Sequence, residues 1–194
     1  MEIEVSRATL VTGPATEPIT LAQAKKQLEL SPSDTAHDDH LSLLIQTARE
    51  QWELDTDSVC LTQTWSVTVE GFCDDEIYLP KRPVQSITSI TYYDVGNSQQ
   101  TLSTSVYSLD AACRAVRLKY MQIWPPVAYR WDAATITYVC GYTSTSLVPA
   151  AAKQAMLLLV GHYFENRDMV MGEALQTMPT YEALVRRFMR SSYP

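Results

Sequence analysis

The sequence predicts an α+β fold: a helical core of two N-terminal and two C-terminal helices, with an antiparallel β unit inserted between helices two and three. Three observations predict it. Apolar residues recur at helical spacing from Leu41 to Trp52, and a second apolar run follows Pro149. Between them lie several short runs rich in Thr, Val, Ile and Tyr, bounded by Gly, Pro and Asp. The chain has 194 residues, 46% of them hydrophobic and 19% charged, which suits one globular domain. The expected division is an N-terminal arm and helical pair over 1–57, an inserted β sub-domain over 58–145, and C-terminal helices with a tail over 146–194, together one overall domain.

Each element has a local reason. The first residues, rich in Thr, Pro and Gly, read as an extended arm. Thr20 is the expected N-cap of a first helix running through Leu21-Ala22-Gln23-Ala24-Lys25-Lys26-Gln27-Leu28, with Pro18 just upstream. Ser31-Pro32-Ser33-Asp34 reads as a loop. A second helix starts at Asp38 or Asp39, whose carboxylates suit the positive end of the helix dipole. Its residues Leu41, Leu44, Ile45, Ala48 and Trp52 form one apolar stripe.

Strands are predicted at 62–69, 77–79, 86–93, 106–109, 115–118 and 135–140. In the first, Trp65, Val67 and Val69 share one face. Asp94-Val95-Gly96-Asn97 reads as a turn. Pro149 then fits the first position of a third helix. The run from Ala150 to Tyr163 is apolar on most faces, so it is expected to be buried by its own fold or by neighbouring copies. A last helix opens at Pro179 and carries Tyr181, Leu184, Val185 and Phe188 on one side.

Charge and composition narrow the function. With 15 Lys and Arg against 22 Asp and Glu, the net charge is −7. That argues against sequence-independent nucleic-acid binding, which shows as a basic patch. No apolar run reaches the ~18 residues of a membrane span. Met1-Glu2-Ile3-Glu4-Val5 lacks the basic start and apolar stretch of a signal peptide, so a protein made in the cytosol is expected. Charge is also uneven. Residues 34–57 hold seven acidic residues and one basic, a net of −6, whereas residues 149–194 hold five basic and four acidic, a net of +1. Opposite charge on one chain suits head-to-tail contacts between copies or partners; solvated faces, with Arg at a helix C-terminus, are the plainer account.

No constellation asks for catalysis. Cys60, Cys73, Cys113 and Cys140 form no C-x-x-C pair and read as small apolar residues. His37-Asp38-Asp39-His40, with Asp34 nearby, is the densest set of possible metal ligands. It reads as a capped helix start, since a zinc site needs three or four convergent ligands. A small metal-dependent hydrolase using His37, Asp38 and His40 is the alternative from another class. His162 lies inside the apolar helix and reads as a packing residue. The six glycines form neither a P-loop nor G-x-G-x-x-G, and Asp74-Asp75 reads as a turn. No catalytic residue, metal or cofactor is expected.

The order of segments does carry a resemblance. Glu17-Pro18-Ile19-Thr20-Leu21-Ala22-Gln23-Ala24-Lys25 is followed by Asp38-Asp39, Leu43-Leu44-Ile45 and Ala48-Arg49-Glu50. Leu61-Thr62-Gln63-Thr64-Trp65 comes next, then Ile77-Tyr78-Leu79-Pro80, Pro83-Val84 and Ile87 to Tyr93. Trp124-Pro125, Cys140-Gly141-Tyr142, Val148-Pro149 and Tyr163-Phe164-Glu165-Asn166-Arg167 complete the series. From about residue 17 to 190, this order and spacing resembles the head–tail connector (adaptor, head-completion) family of tailed bacteriophages and related gene-transfer particles.

The resemblance implies a structural virion protein of the neck, made in the host bacterial cytoplasm, and not an enzyme. It implies a homo-oligomeric ring, usually of twelve copies, below the portal. Such a ring connects head to tail, extends the DNA channel and docks a stopper or tail-completion protein. Double-stranded DNA would pass through the lumen without specific binding, and no membrane would be involved. By position, Arg186, Arg187, Arg190 and Tyr193 would reach the portal. Trp52, Leu158 and Tyr163 would make ring contacts, as would the β insert. Another neck or tail-completion protein is the runner-up.

Overall fold

A computed structural model describes residues 5–72, 76–110, 114–166 and 179–189. The chain is α+β, and it divides into two compact units. Unit 1 comprises Met1–Pro14 and Thr62–Gly141; unit 2 comprises Ala15–Leu61 and Tyr142–Pro194. No helix among the described residues is long and apolar enough to cross a membrane.

Unit 1 is β structure. Its strands are β1 (Val5–Thr12), β2 (Gln63–Val69), β3 (Glu76–Tyr78), β4 (Val84–Tyr93), β5 (Gln99–Thr101), β6 (Tyr107–Leu109), β7 (Ala115–Leu118) and β8 (Ala134–Cys140). A five-stranded antiparallel sheet runs β1-β2-β8-β4-β5, and a three-stranded one runs β3-β7-β6. β8 alternates strictly: Ala134, Ile136, Tyr138 and Cys140 are buried and the residues between them half-buried. Val67 and Val69 of β2 and Ile90 of β4 are also fully buried. The Tyr138 hydroxyl accepts the Lys81 N–H at 3.2 Å, and burial pushes its phenol well up. Gly141 closes β8 at φ 100°, a conformation that glycine alone adopts without strain.

Two strands were not expected from the sequence. β5 is Gln-Gln-Thr, too polar and too short to show a pattern. The N-terminal arm is a strand, β1, whose register runs from Val5 opposite Val69 to Thr12 opposite Thr64. Its place there supplies backbone partners to the outer edge of β2, which would otherwise stay unpaired.

Unit 2 is helical: α1 (Leu21–Gln27), α2 (Asp38–Thr56), α3 (Ala150–Glu165) and α4 (Pro179–Val185). Thr20 caps α1 with a reciprocal box. Its hydroxyl accepts the Gln23 N–H at 3.2 Å, and the Gln23 side chain accepts the Thr20 N–H at 2.9 Å. The stripe Leu41, Leu44, Ile45, Ala48 and Trp52 is buried, and α2 ends on Asp57 in the left-handed region, φ 52°. From α3, Ala152, Ala155, Met156, Leu159 and Val160 complete this core.

Of the four cysteines, Cys60 and Cys140 are buried; Cys73 and Cys113 lie outside the described residues. Cys60 contacts the Met156 sulfur at 3.9 Å. Burial, then the nearby Glu53 carboxylate, push its thiol far above the ordinary range. Only the thiolate is nucleophilic. Iodoacetamide at pH 8 is therefore expected to leave Cys60 unmodified in the folded chain and to label it in denaturant, as read by peptide mass mapping.

Candidate interaction surfaces

α4 and the turn that follows it are held to α2 at two points. The Tyr181 hydroxyl donates to Asp55 at 2.6 Å, and the Phe188 ring meets Trp52 edge-on at 5.4 Å. Burial and the Asp55 carboxylate push the Tyr181 phenol well up, and the Tyr163 phenol also moves up for the same two reasons. Gln51 donates to the other Asp55 oxygen at 2.8 Å. A hydrogen bond to a carboxylate contributes about 1.5–3 kcal/mol. Tyr181→Phe should cost that much in a denaturant titration and loosen α4 first.

This anchoring sets where the basic turn after α4 emerges. Arg186 and Arg187 are exposed, and the Arg187 guanidinium lies 4.8 Å from the Phe188 ring centre. Arg190 and Tyr193, assigned with them to the portal, lie outside the described residues.

The residues expected at ring contacts divide by burial. Trp52 is 1% exposed and lies within the core of unit 2. Leu158 and Tyr163 are half-buried. The outward apolar residues of α2 are Leu43 and Leu54, at 58% and 70% exposure, off its buried stripe.

The acidic zone is partly used up inside unit 2. Arg49, only 5% exposed, pairs with Glu17 at 2.8 Å, Glu53 at 3.0 Å and Glu50 at 3.3 Å. Lys25 pairs with Asp38 at 2.6 Å and donates to the Asp34 carbonyl at 2.6 Å. Asp39, Glu50 and Asp57 remain exposed. His37 and His40 bring their rings to 5.5 and 6.1 Å from Phe164, so packing accounts for this pair. Among the described residues, no group of three or more His, Cys, Asp or Glu could hold a metal ion.

Five of the large apolar side chains exposed among the described residues lie on one stretch of sequence. It is the strand-free segment from Lys119 to Trp131 in unit 1, which carries Tyr120, Met121, Ile123, Tyr129 and Trp131. The pattern was available as a long run of aromatic and aliphatic residues with few polar turn formers.

The chain is α+β with apolar and basic side chains exposed among the described residues, and solved structures share its fold. No family model matches the chain, and no curated protein matches it in sequence. Three solved chains are similar over nearly their full length. One belongs to the neck of an empty gene transfer agent (GTA) particle computed with C6 symmetry, with TM-score 0.78, 19% identity and 97% of each chain covered. The second belongs to the virion of a native GTA particle, with TM-score 0.77, 18% identity, and 96% of this chain and 97% of that one covered. The third belongs to the neck of a native GTA particle computed with C12 symmetry, with TM-score 0.71, 18% identity and 97% of each chain covered. This chain has the fold of those three.

Proposed function

We propose that the chain is a structural component of the neck of a phage-like particle. It forms an oligomeric ring below the portal that connects head to tail and continues the DNA channel. One observation carries the reading: end-to-end agreement in fold with chains from GTA necks, two of them computed with C6 or C12 symmetry. The order of sequence motifs from residue 17 to 190 supports it independently. The role is assembly, with no covalent change in a substrate.

The physics is consistent with this role. DNA binding strengthens with the number of phosphates that Lys and Arg neutralise. A subunit of net charge −7 lets DNA pass without gripping it. A cyclic ring joins two different faces of each copy. Leu158 and Tyr163 of α3, with Leu43 and Leu54 of α2, are the helical candidates. Trp52 serves from behind, by holding α2 and α4 in place. Arg186, Arg187, Arg190 and Tyr193 face the portal in this proposal, and a stopper or tail-completion protein docks on the other side. Many weak contacts per ring act together.

The test is solution mass by light scattering, for the chain alone and mixed with purified portal protein. Assembly to about twelve copies, alone or only on the portal, is expected. A monomer of 21.8 kDa in both conditions would sink the reading. The triple change of Arg186, Arg187 and Arg190 to Glu is expected to leave the subunit folded and abolish portal capture in a pull-down. Undiminished capture would remove the portal role from this end of the chain.

A further inference from the structure

The segment from Lys119 to Trp131 has no regular structure, yet it is pinned at several places. At its start, the Lys119 ammonium donates to the Thr104 carbonyl at 2.7 Å and its N–H to the Val106 carbonyl at 2.9 Å. In the middle, Trp124 stacks on Phe72 at 4.7 Å between ring centres. The Ala128 N–H then donates to the Tyr93 carbonyl at 2.8 Å. The Arg130 guanidinium lies 3.8 Å from the Tyr93 ring centre, and donates to Asp132 and to Asn97. Met121 is held at φ 58°, a left-handed conformation that non-glycine residues enter at a cost.

Between these anchors five large side chains stand in solvent. Tyr120 is 90% exposed, Met121 83%, Ile123 82%, Trp131 65%, and Tyr129 as exposed as in an open chain. At roughly 150–250 Å² for an aromatic side chain, they present on the order of 800 Å². That is about the area one partner contributes to a standard protein interface. Large apolar side chains left in solvent mark interaction sites, and pinned ones lose little freedom on binding.

Unit 1 carries a second, different apolar feature. β1 is an edge strand, and Leu10 and Val11 are 46% and 57% exposed on it. An exposed hydrophobic edge invites pairing unless something covers it. The register separates the two features. Leu10 lies opposite Trp65, near the start of β2, whereas the loop lies at the other end, where Val127 sits within 3.4 Å of a side-chain position on Gly71. Six residues of strand rise amount to about 20 Å. Two unlike apolar features at opposite ends of one sheet are what a head-to-tail contact between identical copies requires.

The ring reading makes a second copy the occupant, despite its like charge. Identical subunits at net −7 repel one another, so they associate best through surface that carries little charge. The loop carries two cations: Arg130 is paired with Asp132, and the Lys119 ammonium, at its start, is held against the Thr104 carbonyl. From these observations we infer that the loop 119–131 of one copy packs onto the exposed end of β1, at Leu10 and Val11, of the next copy in the ring. The inference rests on the ring reading above and names its contact.

Complementation tests it. The wild-type chain, a loop variant (Tyr129→Ser with Trp131→Ser) and an edge variant (Leu10→Ser with Val11→Ser) are compared by sedimentation, each alone and with portal. All four substituted side chains are exposed, and circular dichroism checks that both variants remain folded. Each variant alone is expected to need about ten-fold or more higher concentration to self-associate. Mixing the two should restore a 1:1 dimer and nothing larger, because only one intact pair of faces remains. Wild-type-like assembly of the loop variant would overturn the inference and leave the ring standing. Loss of assembly in the loop variant with no dimer in the mixture would overturn the β1 contact. A wild-type chain that stays monomeric even with portal would remove the ring reading and this contact with it.

Discussion

Trp52→Ala is expected to destabilise the helical unit by about 3–5 kcal/mol, the cost of removing a large aromatic from a closed core. Trp52 is 1% exposed on a face of α2 that also buries Ala48 and Thr56, and its ring meets Phe188 beyond α4. Truncation opens a cavity under α3 and α4 and frees the Phe188 contact. A second variant separates packing from hydrogen bonding. The indole N–H of Trp52 is buried without a partner among the described residues, and such a group itself costs about 1–3 kcal/mol. Trp52→Phe removes that N–H and leaves a smaller cavity. Its cost should be less than half that of Trp52→Ala in a denaturant titration. Equal costs would show that the indole is not held as described. If the proposed portal role holds, the Ala variant should also weaken portal capture, because the turn after α4 that carries Arg186 and Arg187 loses one of its two anchors.

The second large effect is expected at Arg49. Its guanidinium is buried against Glu17 and Glu53, and the other Glu53 oxygen accepts the Cys60 N–H at 2.8 Å. One side chain thereby ties the entry to α1, the middle of α2 and the segment after α2. Burial works against the charge, and the Glu17 hydrogen bond with the Glu53, Glu17 and Glu50 charges outweighs it, so the Arg49 pKa is raised. Breaking such a pair strands a buried charge and costs about 3–5 kcal/mol, whereas replacing both members can be nearly neutral. Arg49→Met should therefore be severe. Adding Glu53→Gln should recover much of the loss, since an amide oxygen can still accept the Cys60 N–H. A double variant no better than Arg49→Met alone would show that the network is not the source of the cost. Urea midpoints of the three chains decide it.

These two sites differ in how far the sequence revealed them. Trp52 falls on the 3-4 spacing of Leu41, Leu44, Ile45 and Ala48, so its burial was legible from periodicity. Its role was not: the resemblance placed it at a ring contact, and the ring is buried within its own subunit. Periodicity says which face of a helix is covered, but not by what. Arg49 read as one charge in an acidic zone, because a charged residue on a helix is usually solvated. Its burial follows from Glu17, which lies 32 positions away in sequence.

What the sequence determined by itself was local. The Thr20 cap, the starts of α2 and α3, and the alternation of β8 each depend on residues within a turn or two, so chain neighbours suffice to specify them. The α+β class follows from the same patterns taken in order. The tertiary structure alone decided the pairings: β1 on the edge of β2, β8 between β2 and β4, and the polar β5 on β4. Strand partners are set by long-range register and by the need to satisfy every sheet edge, which no local window contains. It also decided which apolar residues stay outside. Tyr129 and Trp131 look like core residues by composition, yet they stand in solvent beside Arg130, which is held to Tyr93 and Asp132.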